Sequence, residues 1–118
     1  MKKDSEIFIR HILENIEKIE KHTKEVEKKK FFEKEEIQDL VIRKLEIIGE
    51  ASKNLPKEFR NHHKEVEWNK IGGLRDKLIH HYFGVDLDLI FDIVKKDLPE
   101  LKKKVKDILK EIEESKKT

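Results

Sequence analysis

The densest set of reactive side chains in this sequence falls in one short run. Residues 75–82 read Arg-Asp-Lys-Leu-Ile-His-His-Tyr, and Tyr82 is the only tyrosine of the chain. Arg, His and Tyr suffice for phosphodiester chemistry without a metal. A guanidinium neutralises a phosphate through two parallel hydrogen bonds. An imidazole that titrates near neutrality accepts or donates the proton of a ribose 2′-hydroxyl or of a leaving oxygen. Phosphoryl transfer asks for little beyond such positioning and charge stabilisation.

Helical geometry, at about 100° per residue, sorts these side chains. Asp76 and His80 are four apart, share a face and can touch, so the carboxylate would hold the imidazole and fix its tautomer. Arg75 and Tyr82, seven apart, also share a face. Arg75 and His80 are five apart, about 140° around the helix. One straight helix does not aim both at one point. Either the helix distorts near its end or two chains pool their residues. The ordinary alternative is that a helical run of mixed Arg, Asp, Lys and His is a solvated face.

Other candidates are weaker. His62-His63 in a polar loop reads as surface, and His11 and His22 read as helix surface. A zinc site built from His62-His63 with His80-His81 is an alternative, but no carboxylate-histidine helix signature supports it. Trp68 and the phenylalanines read as core rather than as nucleobase platforms.

The elements that must position the run are helical. Ile9, Ile12, Ile16, Ile19 and Val26 repeat at three- and four-residue steps with a gap at Thr23, which predicts a first helix over 4–29. Phe31-Phe32 should enter the core as the chain turns. Ile37, Val41, Leu45, Ile48 and Leu55 mark a second helix over 34–54. Gly49 inside it costs about 1 kcal/mol against Ala, and close approach of another helix would explain it. Pro56 opens a short helix to His63, and 62–67 reads as a loop. Asn69 suits the N-cap of a third helix, with Trp68 as its staple, Gly72-Gly73 weakening its first turn, and Gly84 just past its end. Asp86 caps a fourth helix over 87–96. Pro99 forces a break or kink before the last one, which frays from Ser115. With no sustained alternation, no sheet is expected. Short connections make the product an all-α, up-down antiparallel bundle of four to five helices, one domain over 1–118.

Composition narrows the function. Charged residues are 46% of the chain, mixed in sign, with a net charge of only +2. This describes amphipathic helices with charged outer faces, and the Lys/Glu enrichment suits a thermophile. Near-neutrality argues against a generic nucleic-acid coat, so any such contact must be local. No cysteine is present, which excludes disulfides, thiolate nucleophiles and Cys-ligated zinc. The sequence opens without an apolar leader and holds no apolar run of membrane-spanning length, so a cytoplasmic protein without membrane contact is expected.

The run also resembles a family signature, R-x-x-x-x-H-x-Y with a polar residue after the Arg, here Arg75, Asp76, His80 and Tyr82. Leu45-Glu-Ile-Ile-Gly-Glu-Ala51, Glu67-Trp-Asn-Lys-Ile-Gly-Gly-Leu-Arg75, Phe83-Gly-Val-Asp86 and Asp97-Leu-Pro-Glu-Leu101 extend the likeness over about 40–105. Together they resemble the HEPN domains, and within them the HepT-like toxins. Asn is the commonest residue in the second place of the signature, and Asp76 keeps its hydrogen-bond acceptor.

The resemblance implies a homodimeric, metal-independent endoribonuclease toxin of a type VII-like toxin–antitoxin module, with no cofactor and no DNA substrate. Arg75 would bind the scissile phosphate. His80 would be general acid or base, one from each chain, with Asp76 orienting it. The partner would be a minimal nucleotidyltransferase antitoxin that silences the toxin by adding AMP to Tyr82. The alternative is a non-catalytic helical dimer that binds a nucleotide or the nucleotidyltransferase.

Overall fold

The isoleucine stripe at positions 9, 12, 16 and 19 is wholly buried and draws α1 (Lys2–Thr23) into the core. A computed structural model describes residues 2–80 and 84–117, and the side chains of these apart from 2, 3, 75, 79 and 80. Helix α1 stops short of the expected Lys29. The Thr23 hydroxyl donates back to the Ile19 carbonyl at 2.8 Å, and the Thr23 carbonyl accepts from Val26 N–H and from Lys95 Nζ. Thr23 is thus a buried helix end rather than a gap in the stripe. The lysine run forms α2 (Lys28–Glu33), which buries Phe31 against the Phe91 ring but leaves Phe32 40% exposed. Only one of the two phenylalanines enters the core.

Helix α3 (Glu35–Asn54) runs as its periodicity predicts, with Val41, Leu45 and Ile48 buried. It packs against α1, which also lies along the last helix. Pro56 precedes α4 (Lys57–His62). The third helix is divided into α5 (Trp68–Gly72) and α6 (Leu74–Leu78). Helix α5 begins at Trp68 with Glu67 in the cap position, so Asn69 is not the cap. The Trp68 indole instead donates to the His63 carbonyl at 2.9 Å. Gly49 meets the close approach its cost called for: a Cβ there would lie 3.0 Å from the Ile71 carbonyl oxygen on α5.

A small sheet follows where none was expected. β1 (Ile79–His80) pairs antiparallel with β2 (Gly84–Val85), Ile79 opposite Val85 and His80 opposite Gly84. Asp86 then caps α7 (Leu87–Asp92), its carboxylate accepting from Leu89 N–H at 3.1 Å. A π-helical turn (Ile93–Asp97) leads without a gap into α8 (Leu98–Lys116). Pro99 breaks nothing, because it sits in the first turn of α8 and the π turn precedes it. Helix α8 continues to Lys116, past the expected fraying point.

Charge ties the ends of α1 and α8 together. Glu6 accepts from Arg10 Nε at 2.9 Å and pairs with Lys116 Nζ, while Arg10 also donates to Glu113. Lys116 and then Arg10 hold the Glu6 carboxyl below the usual carboxylate range.

Candidate active site

Leu74 and Leu78 are four residues apart and both buried, so they fix the inward side of α6, which packs on α3. Asp76 lies about 200° around the helix from each and is exposed. Among the described residues it makes no hydrogen bond or ion pair, and its carboxylate is open to a donor from solvent, substrate or another side chain. Arg75 precedes it on the same five-residue helix. The hydrogen-bond ladder crosses the glycine pair: Gly73 N–H donates to Asn69 O and Lys77 N–H to Gly73 O. Gly73 itself has ψ 5°, away from helical values, which separates α6 from α5.

Helix α6 ends at Leu78, whose carbonyl accepts from Asp86 N–H at 3.2 Å across the return of the chain. Gly84, opposite His80, has φ +80°, the left-handed conformation that favours glycine. It lies in β2 rather than directly behind the motif helix. His80 is therefore on a strand. Its four-residue spacing from Asp76 is not a helical spacing, and the shared-face argument for that pair does not hold. The 140° offset between Arg75 and His80 falls with it. Of the two alternatives, distortion at the helix end is the one present, and pooling of two chains loses its geometric motive. Arg75, Asp76 and His80 occupy one helix-to-strand junction. His81 and Tyr82 lie outside the described residues.

The remaining histidines divide. His11, His22 and His62 are exposed, as expected. His63 is buried, with its ring 4.6 Å from that of Phe59 and its Nδ1 3.5 Å from a Glu65 oxygen. Among the described residues no three His, Asp or Glu side chains group as metal ligands would. Trp68 is buried, as a core residue. No helix among the described residues is long and apolar enough to cross a membrane.

One feature went unseen in the sequence. Lys57, Arg60, Asn61 and Lys64 line an open cleft of about 640 Å³ together with Asn69 and Lys70. Lys57, Arg60 and Asn61 recur at three- and four-residue steps on one face of α4, and Lys64 lies just past its end. The sequence alone marks only a short helix and a polar loop there.

The sequence profile described as ribonuclease HepT-like matches residues 12–108. A protein of Thermococcus cleftensis named as a probable ribonuclease HepT is 44% identical over 110 residues, 93% of this chain and 100% of the relative. A candidate RNase of Caldanaerobacter subterraneus subsp. tengcongensis is 46% identical over 102 residues, 86% of this chain and 91% of the relative. A Methanocaldococcus jannaschii protein, named as a gamma-glutamylcyclotransferase and candidate RNase, is 48% identical over 116 residues, 98% of this chain. The chain spans only 52% of that relative's length. No solved structure matches. A profile match over most of the chain, with relatives 44% and 46% identical that it covers over 100% and 91% of their lengths, means that this chain belongs to the ribonuclease HepT-like family.

Proposed function

We propose that the chain is a metal-independent endoribonuclease and the toxin of a toxin–antitoxin module. The observation that carries this reading is the Arg75-to-His80 motif at a helix-to-strand junction, in a chain matched by the ribonuclease HepT-like profile across it. Arg75 grips the scissile phosphate and offsets the charge that grows on its oxygens. His80 of one protomer takes the proton of the ribose 2′-hydroxyl as its oxygen bonds to phosphorus. The bond to the 5′-oxygen breaks, and His80 of the second protomer protonates that leaving oxygen. Asp76, exposed one residue after Arg75, orients a histidine of the dimer. Because Asp76 and His80 do not share a helical face, this contact forms across the junction or between protomers.

The reaction runs on two protomers, and a minimal nucleotidyltransferase silences it by adding AMP to Tyr82. The test is a cleavage assay on RNA, and on DNA of the same sequence, with EDTA present. RNA alone should be cut, and the products should end in 2′,3′-cyclic phosphate. Cutting of DNA as well would refute the 2′-hydroxyl mechanism. Cleavage abolished by EDTA and restored by a divalent cation would refute metal independence.

A further inference from the structure

The net charge of +2 is too small to hold a polyanion over the whole surface, so the grip on a nucleic acid must be local. The cleft on α4 and the start of α5 gathers such charge. Its lining holds the cations Lys57, Arg60, Lys64 and Lys70 against the single carboxylate of Glu67. None of the four cations is ion-paired or hydrogen-bonded through its side chain among the described residues, so all four charges are available to an anion. The amides of Asn61 and Asn69 are likewise without a protein partner there.

Arg60 adds a second, independent sign. Its Nε is buried and donates to nothing among the described residues. A buried donor without an acceptor is costly, and it gains when an acceptor arrives. A guanidinium turned into the cleft could present Nε and a terminal nitrogen side by side to two oxygens of one phosphate. The cleft's volume lies within the roughly 300–1,000 Å³ of binding sites for small ligands, enough for a short stretch of backbone. Trp68 lines it too, but that residue is buried, so base stacking on its ring is not what the cleft offers.

Position identifies the occupant. Lys70 lies five residues before Arg75 along the α5–α6 stretch, and five residues span at most about 18 Å even when extended. A strand seated at Arg75 therefore has the cleft within a few nucleotides' reach.

We propose that this cleft holds the sugar-phosphate backbone of the single-stranded RNA whose scissile phosphate sits at Arg75, gripping it through Lys57, Arg60, Lys64 and Lys70. The inference rests on the endoribonuclease reading for its substrate, but it is tested by binding.

The experiment measures binding of a fluorescein-labelled single-stranded RNA by anisotropy over a range of KCl concentrations. The protein is the His80→Ala chain, with and without Lys57→Gln, Lys64→Gln and Lys70→Gln. All three lysines are exposed, so melting temperature should hold. Loss of three phosphate contacts should weaken binding roughly tenfold or more and lower the slope of log affinity against log salt by about 2. Arg60→Gln in the same background should weaken binding on its own. Unchanged affinity and slope in a triple variant that melts normally would overturn the cleft's role. Cleavage by the otherwise wild-type triple variant is read in parallel. Unaltered KM also counts against the cleft and leaves the nuclease standing. RNA that binds with the predicted slopes but is never cut would keep the cleft and remove the nuclease.

Discussion

AMP carried on a tyrosine hydroxyl brings a phosphate and a nucleobase into the space an RNA strand must occupy. On the proposed reading that tyrosine is Tyr82, two residues past His80, and its phosphate competes for Arg75. Tyr82→Phe should keep the fold and most cleavage yet escape silencing. Toxin, nucleotidyltransferase and ATP are mixed, and added mass is mapped by peptide mass spectrometry. Modification found only elsewhere, or a Tyr82→Phe chain silenced as fully as the wild type, would remove this role and spare the nuclease. At this scale the motif was legible because its residue types are rare and adjacent. The cleft was not. Lys57, Arg60, Lys64 and Lys70 are ordinary surface residues in the sequence, and what marks them is their convergence on one cleft beside the buried Nε of Arg60, which only packing reveals.

The elements that carry the motif hang on two small contacts. Gly49 lets the Ile71 carbonyl approach α3, and so fixes α5 and through it α6. Gly49→Val should destabilise the chain by about 1–3 kcal/mol, since the added bulk meets backbone that must move. Chemical denaturation measures this, and no loss would mean that α5 can shift freely. Asp86→Ala should cost about 1 kcal/mol by removing the cap of α7. The long helices α1, α3 and α8 were legible because an unbroken three-four stripe in each becomes a buried face. The end of the motif helix was not. Leu74 and Leu78 continue a helical stripe, and nothing in their spacing announces the strand at Ile79. What ends the helix is non-local in sequence: Asp86 N–H on the Leu78 carbonyl and the positive φ of Gly84 opposite His80. The π turn before Pro99 was hidden in the same way, since sequence marks the proline and not the adjustment that absorbs it.

At the scale of the molecule, the proposed site draws on two protomers. Light scattering at micromolar concentration should give twice the 14.2 kDa chain mass, and a monomer would count heavily against a shared site. If each site needs a His80 from both protomers, mixing wild type with excess His80→Ala and allowing subunits to exchange should lower cleavage with the square of the wild-type fraction. A strictly proportional fall would assign a complete site to each protomer. Beneath these tests stands the claim that Arg75 and His80 cut RNA without a metal. The measurement that reaches it most directly is RNA cleavage in EDTA by wild type and His80→Ala, each shown free of contaminating nuclease. The wild type should cleave, and the variant should lose about 10²–10⁴-fold. Equal cleavage by the two would contradict that claim.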